Sequence, residues 1–392
     1  MAFSANAIIF PKHHSTTSSH LHWTSASSHQ ESYKPLTTSL KFHFQEFRAS
    51  NTPLFAIPAR TTSIEQPDVI TLPTAPPSWR EFAEKISGEW DGFGADFTKE
   101  GKPIELPESV VPEAYREWEV KVHDWQTQCP TLASQEHVSL TYKLIRLLPT
   151  VGCEADAATR YTIDERSVFS NQESSACSCF AYQPSTGCYA AVWPVKGQFD
   201  DSMSGNFRRV LELEHCLIHP DDRESRMRVI QVVSLEGNHQ HYKVEVQSIK
   251  VFVEQWYGPF RNGDQLGGCS IRDSAFAATE PSKPSEIIGP VWQSVAAVAK
   301  FEDSENILIG EYADDGDRVP KTVVRDESNA ILLPKKMWCS SSKTEDGDTC
   351  CEAGWLLSQG RAITSKFFFS NGLQTQPKEI HLACETAVTP DQ

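Results

Sequence analysis

The sequence predicts an all-β chain: two tandem antiparallel β-barrels, the first entered by a short N-terminal plug helix. Three observations predict it. An amphipathic helix at residues 78–86 runs straight into the strand start Gly88-Glu89-Trp90. A weaker echo of that opening, Gly289-Pro290-Val291-Trp292, returns in the second half of the chain. Between and after the two lie short segments of period-two hydrophobicity, separated by turn residues at antiparallel spacing.

The elements follow in order. Ser78 with Glu81 reads as a capping box, and Trp79, Phe82 and Ile86 recur at helical spacing. Gly88 lets the chain turn tightly across a barrel base, and Trp90 closes that base with its large apolar area. Trp292 is expected to close the second base in the same way. Residues 99–117 are polar and proline-bearing, hence a loop. Strand periodicity returns at 118–125, where Trp118, Val120 and Val122 share a face, and continues at 137–148 and 159–169. A hairpin at 177–183 and 188–193 turns at Pro184-Ser185-Thr186-Gly187. Residues 207–218, 225–235 and 242–253 are three long strands joined by good turn chemistry. That set is enough to close a barrel over residues 78–257. Residues 258–285, rich in Gly, Pro, Ser and Asp, read as the linker between domains. The second, smaller barrel takes residues 286–388, with strands at 294–301, 307–312, 321–325, 331–333, 336–340, 350–357, 363–369 and 379–385.

Composition narrows the function. The chain has 392 residues and a formal net charge of −16, which argues against nucleic acid and anionic membranes as partners. No run of eighteen apolar residues exists, so no transmembrane segment is expected. Residues 1–64 are crowded with Ser and Thr. Their only acids, Glu31 and Glu46, face Lys12, Lys34, Lys41, Arg48 and Arg60. That is the composition of a chloroplast transit peptide, cleaved between Ala49 and Thr62, and it predicts a stromal protein. The eleven cysteines lack zinc-site spacing and read as reduced thiols, with a redox pair between Cys177 and Cys188 as the alternative.

No nucleophile elbow, metalloprotease helix, phosphate loop or dinucleotide fingerprint is present, so no catalytic residue is assigned. Glu214-His215 and His219 invite a metal reading. Their surroundings look like strand, however, where residues four apart lie too far apart to chelate, and no metal is expected. The best site candidate is the strand at 225–233. If Arg226, Arg228, Ile230 and Val232 face the interior, two guanidinium forks project into an apolar cup and suit a flat apolar ligand with carboxylates. If Met227, Val229, Gln231 and Val233 face inward, both arginines are surface charges. The pattern alone leaves both open. Glu214 and Trp193 complete the candidate ligand-binding set.

Gly88-Glu89-Trp90, Arg226-Met227-Arg228 and Glu352-Ala353-Gly354-Trp355-Leu356-Leu357 together resemble a known family. They look like the two-barrel, calycin-like proteins of unknown function shared by cyanobacteria and plant plastids, the DUF3598 family, over nearly all of residues 78–388. The first barrel is more distantly similar to the S-type phycobilin lyases, which load open-chain tetrapyrroles onto antenna proteins. Their Arg-X-Arg strand falls on Arg226 and Arg228. The resemblance implies calycin/lipocalin-like barrels and a tetrapyrrole-like pocket. It departs from lipocalins in one respect: the last strand of the first barrel offers Lys243 and Lys250 where they place an Arg over the Trp. The expectation is a stromal binding protein for a hydrophobic, carboxylate-bearing molecule, whether tetrapyrrole-like, carotenoid or lipid. It would serve carriage or photosynthetic assembly, with photosynthetic proteins as further partners. A lyase or isomerase using Arg226, Arg228 and Glu214, or a ligand-free packed scaffold, are the alternatives. An interior lined by small or polar residues would separate the first two from the third.

Overall fold

The structure is a computed structural model. It describes residues 74–151, 159–168, 177–195, 200–201, 206–238, 242–264, 275–301, 308–314, 319–358, 360–370 and 376–388. The expected transit peptide, Cys153 and Cys269 fall outside these residues. Helix α1 is Pro77–Ile86, followed by β1 Glu89–Thr98, α2 Glu113–Glu117, β2 Asp124–Gln128, β3 Thr131–Ala133, β4 Leu140–Leu147 and β5 Arg160–Val168. Then come β6 Cys179–Tyr182, β7 Tyr189–Pro194, β8 Asp200–Asp201, β9 Asn206–Ile218, β10 Ser225–Asn238 and β11 Tyr242–Gly258. The second half has α3 Pro284–Ile287, β12 Val291–Lys300, β13 Leu308–Glu311, β14 Ala313–Asp314, β15 Lys321–Val323 and β16 Ala330–Leu333. It ends with β17 Met337–Lys343, β18 Thr349–Leu356, β19 Arg361–Phe369 and β20 Glu379–Val388. No helix among the described residues is long and apolar enough to cross a membrane.

Helix α1 starts on proline, not on a capping box. Pro76 is the N-cap and Pro77 the first helical residue, where a missing N–H costs nothing. Ser78 Oγ instead lies 3.3 Å from the Tyr182 hydroxyl. At Gly88 the chain turns with φ +149°, and a Cβ there would sit 2.1 Å from the Trp256 indole nitrogen. Only glycine fits.

The strands form two sheets. The first has twelve strands in the order β13-β6-β7-β9-β10-β11-β1-β2-β4-β3, with β5 on β4 and β8 on β9. Its first and last long strands pair, Trp90 facing Trp256 and Phe97 facing Ile249. The sheet curls strongly. β4 and β9 stand five strand spacings apart along the ladder, about 24 Å if flat. Yet the Tyr142 hydroxyl on β4 donates to Glu214 on β9 at 2.5 Å. The ladder runs open between β13 at one end and β3 and β5 at the other, and α1 packs across that side. Trp79 and Phe82 pack edge-on or tilted against Phe180 and Tyr182, while Trp79 Nε1 donates to Ser134 O at 2.9 Å.

Two strand expectations fail here. Residues 118–123 form no strand: α2 precedes them and Glu119 adopts φ 54°, outside any β conformation. Trp118 and Val120 end up 61% and 46% exposed, and the strand begins only at Asp124. The strand expected near 307–312 in the second barrel adds to the first sheet instead, where β13 pairs in parallel with β6.

The second sheet has eight strands in the order β14-β12-β20-β19-β18-β17-β16, with β15 on β12. Again the first long strand pairs with the last, Trp292 facing Ala387. This sheet curls too. β12 and β17 stand about 19 Å apart on a flat ladder, yet Arg325 lies over both the Trp292 and Trp338 rings, at 5.5 and 4.6 Å. The same device marks both openings: Trp90 Nε1 donates to Ile86 O at 2.8 Å, and Trp292 Nε1 donates to Ile287 O at 3.0 Å. In each case a helix-end carbonyl without an intrahelical partner takes the indole proton.

The outer face of β9–β11 packs on one face of β17–β19, and one apolar cluster runs through both sheets. A buried polar spine fixes the contact. His215 Nδ1 meets Ser365 Oγ at 3.0 Å, His215 Nε2 meets Gln231 Oε1 at 3.2 Å, and Gln231 Nε2 donates to Ser340 O at 3.2 Å. Burial pushes His215 down to about 4. The neutral ring is therefore favoured by folding. Its contribution is complete above pH 6.5, where the unfolded imidazole is also neutral, and is lost as pH falls from there toward 4. Urea unfolding at pH 7 and pH 4.5 is expected to show wild type losing on the order of 2 kcal/mol more than His215→Gln. Equal losses in the two proteins would refute the assignment.

Candidate functional site

The inner face of the first sheet follows from register. Arg226 opposes Glu254 and Ile218, Arg228 opposes Phe252 and Cys216, and Ile230 opposes Lys250 and Glu214. On β1 the same face carries Trp90, Gly92 and Gly94. Gly94 is there because Phe252 leans across it, and a Cβ would meet that ring at 2.5 Å.

The face is layered. At the base, the Arg226 guanidinium lies 4.3 Å over the Trp90 ring. The arginine over the tryptophan therefore exists, but β10 supplies it. Of the two lysines considered for that place, Lys243 is solvent-facing and pairs with Glu245, and Lys250 lies higher on the wall. Arg226 Nε and Arg228 Nε both donate to Glu254 Oε2, at 2.7 and 2.8 Å, and Arg228 Nη2 donates to Glu254 Oε1 at 2.8 Å. Arg228 Nη1 reaches Glu214 at 2.9 Å. Glu214 also accepts from Tyr142, Tyr189 and Trp193, the last two at 2.8 and 2.7 Å. Burial alone would raise both carboxyls. For Glu254 the two arginines outweigh it, and for Glu214 Arg228, Arg166 and the tyrosine hydroxyls do, so both stay below the usual range and ionised. Burial pushes the Tyr142 and Tyr189 hydroxyls well up, keeping them as donors.

Above this quartet lies a small apolar layer of Leu144, Ile230 and Phe252. Higher still, at the end of the strands away from Trp90, the wall is charged again. Glu212 bridges Arg166 and Lys250, hydrogen-bonding Arg166 Nη2 and accepting from Lys250 Nζ at 2.6 Å. Arg166 lies over the Trp193 ring at 5.3 Å and also pairs with Asp164 at 3.4 Å. Trp125 and Tyr161 stack at this end with centroids 5.0 Å apart. On this face, among the described residues, the guanidinium nitrogens Arg226 Nη2, Arg166 Nη1 and Arg146 Nε are buried without a hydrogen-bond partner. Thr127 Oγ1 is buried without a partner as well.

The structure thus brings Arg226, Arg228, Glu214 and Trp193 into one cluster with Trp90 below it, while Trp292 lies in the second sheet. Arg228 is not an open receptor, since all three of its guanidinium nitrogens bond Glu254 or Glu214, whereas Arg226 gives Nε to Glu254 and Nη1 to Thr131 and keeps Nη2 unpartnered. Sequence reasoning missed Glu254, Arg166, Glu212 and Tyr142. A signal for two of them was present, because Glu212 and Glu254 share strand parity with Glu214 and Arg226. Other candidates separate. His215 points to the opposite face from Glu214, and His219 Nδ1 accepts from the turn amides of Asp221 and Asp222. Among the described residues no group of three His, Cys, Asp or Glu is placed to hold a metal ion. Cys177 and Cys188 cannot pair across their hairpin. Cys177 Sγ bonds Val192 O, about 13 Å of strand beyond Cys188, whereas a disulfide needs Cα atoms within about 7 Å. Asp91, pushed up to about 7 by burial, lies on the outer face opposite Gln128 and outside the cup.

The second sheet repeats the base. Arg325 donates to Glu352 at 2.7 Å and Glu385 at 2.6 Å, Lys366 joins both acids, and Trp338 Nε1 donates to Glu352 at 3.0 Å.

These features define a mostly-β chain in which each of the two sheets buries an arginine–glutamate network against tryptophan. No family model matches the chain, and no curated protein matches its sequence significantly. Among solved structures it is similar to a DUF3598-family protein of unknown function from Nostoc punctiforme. That match has 13% identity and a TM-score of 0.42, and covers 80% of this chain and all of that one. A weaker likeness, at 7% identity and a TM-score of 0.13, is to the outer membrane phospholipase of Salmonella typhi, covering 83% of this chain and 94% of that one.

Proposed function

We propose that the chain binds a hydrophobic small molecule bearing carboxylates, such as a linear tetrapyrrole or a fatty acid, in the cup of the first sheet. In this reading the two sheets are calycin-like cups of the DUF3598 type, and the protein works in the chloroplast stroma as a carrier or assembly factor. One observation carries the binding proposal. Guanidinium nitrogens of Arg146, Arg166 and Arg226 are buried on the inner face without an acceptor. An unmade hydrogen bond from a buried charged group costs about 1–3 kcal/mol or more, and a ligand carboxylate would supply the acceptor. The apolar layer of Leu144, Ile230 and Phe252 offers the body of such a ligand a dry contact.

The test is a fluorescence titration with biliverdin and with its dimethyl ester. The diacid is expected to bind at least tenfold more tightly than the ester. Equal binding of the two would remove the carboxylate from the proposal. Absence of binding by both would favour a packed scaffold, a reading that the filled Phe252 position against Gly94 also supports. Import into isolated plastids with trimming to a start between Ala49 and Thr62 tests the address.

A further inference from the structure

We infer that Glu212 is a built-in competitor for the ligand's carboxylate, and that Arg166 and Lys250, not Arg226 and Arg228, form the seat from which the ligand anion displaces it. This deepens the proposal above and rests on it.

The two charged layers of the cup differ in how their acids are held. In the lower layer Glu214 is fixed by three neutral donors as well as by Arg228, and Glu254 by two arginines at full burial. A ligand entering there would have to strand one of these acids in the protein interior, a loss of several kcal/mol. Glu212 is held otherwise. Among the described residues its side-chain partners are the two cations Arg166 and Lys250. It lies at the solvent side of the apolar layer, its side chain 10% exposed and that of Lys250 27%. Swinging Glu212 outward returns its carboxylate to water and leaves a cation pair of the same shape. An incoming carboxylate can take its place there without stranding a buried charge. Arg166 Nη1, hydrogen-bonded to nothing and 3.8 Å from Glu214, gives the newcomer one donor that Glu212 does not use. Thr127 Oγ1 and Arg146 Nε, on the same inner face, are two more unpartnered groups. The carboxylate class follows from the seat, because a planar anion matches a guanidinium fork beside an ammonium. The apolar body of the ligand would then lie on Leu144, Ile230 and Phe252, with the half-exposed Tyr161 ring stacked on Trp125 at the rim.

This makes a counter-intuitive forecast: removing an acid tightens anion binding. Glu212→Gln keeps the side-chain volume, frees Lys250 and leaves Arg166 with only the longer contacts to Asp164 at 3.4 Å and Glu214 at 3.8 Å. Biliverdin is expected to bind this variant about tenfold more tightly than wild type, while its dimethyl ester binds both alike. Arg166→Gln should weaken the diacid about tenfold and spare the ester. Thermal unfolding of each variant checks that the fold is kept. A Glu212→Gln variant whose affinity for the diacid is unchanged or lower overturns the inference and leaves the binding proposal standing. An equal gain for diacid and ester also overturns it, since the gain would then be apolar. If wild type binds neither form but Glu212→Gln binds the diacid, Glu212 blocks the seat instead of yielding it, and the displacement is overturned. If neither protein binds either form, both proposals fall together.

Discussion

Arg228→Ala is expected to destabilise the protein by about 3–5 kcal/mol, the cost of leaving buried carboxylates without their partner. Arg228 is fully buried and makes three charge-assisted bonds to Glu254 and Glu214. Its ring contacts are Phe252 at 4.8 Å and Tyr142 at 5.2 Å. Truncation therefore leaves Glu254 with Arg226 alone and Glu214 with its neutral donors and the more distant Arg166. Urea denaturation at neutral pH reads the loss as a shift of midpoint at similar slope. The acid that makes Arg228 costly to remove, Glu254, lies on the neighbouring strand β11 and shows itself only in the register. A cycle with Arg228→Met and Glu254→Met separates pairing from packing, because the double variant should be far less damaged than the sum of the singles. A loss below about 1 kcal/mol for Arg228→Ala would mean that the quartet is open to water and carries little.

Trp90→Ala should cost about as much, roughly 3–5 kcal/mol for the cavity left by a fully buried indole. Trp90 is completely buried, donates to Ile86 O and lies under Arg226 at 4.3 Å. Its loss removes a cation–π contact and the only indole link between β1 and α1. The damage should therefore concentrate where α1 covers the open side of the first sheet. Hydrogen exchange would show it as early exchange of residues 77–86, ahead of β9–β11. Trp90→Phe keeps most of the apolar area and loses the N–H, so about 1 kcal/mol is expected. Uniform exchange in Trp90→Ala, with α1 protected as in wild type, would refute the role of Trp90 in holding the helix.

Much of the architecture was legible. The switch from helical to strand period at Gly88 placed α1 and β1 correctly. The three long strands β9–β11 appeared with their turns, because alternating Val, Ile and Leu between Asp-, Pro- and Gly-bearing joints leave little choice. The two Gly-to-Trp openings, Gly88–Trp90 and Gly289–Trp292, proved to share one device, an indole bonded to a helix-end carbonyl. The failures are local in cause. At 118–123 the alternation of Trp118, Val120 and Val122 mimicked a strand, yet a one-turn helix and a left-handed Glu119 intervene. β13 reads as any short strand, and nothing in its residues says which sheet it joins.

The sequence by itself determined the mostly-β class, the N-terminal helix, the tryptophan at each opening and the placing of Arg226 and Arg228 on one strand face. Period and turn chemistry are local, and they are written residue by residue. Only the tertiary structure decided what those arginines face. Glu214 and Glu254 approach Arg228 from strands on either side of it, and Tyr142 joins them from a strand five spacings along the ladder from β9. Curling brings these side chains together, and curl is a property of the whole sheet that no short window of sequence records. The same curl turned a presumed open receptor into a closed ion network and left Arg166 Nη1 unpartnered beside Glu212.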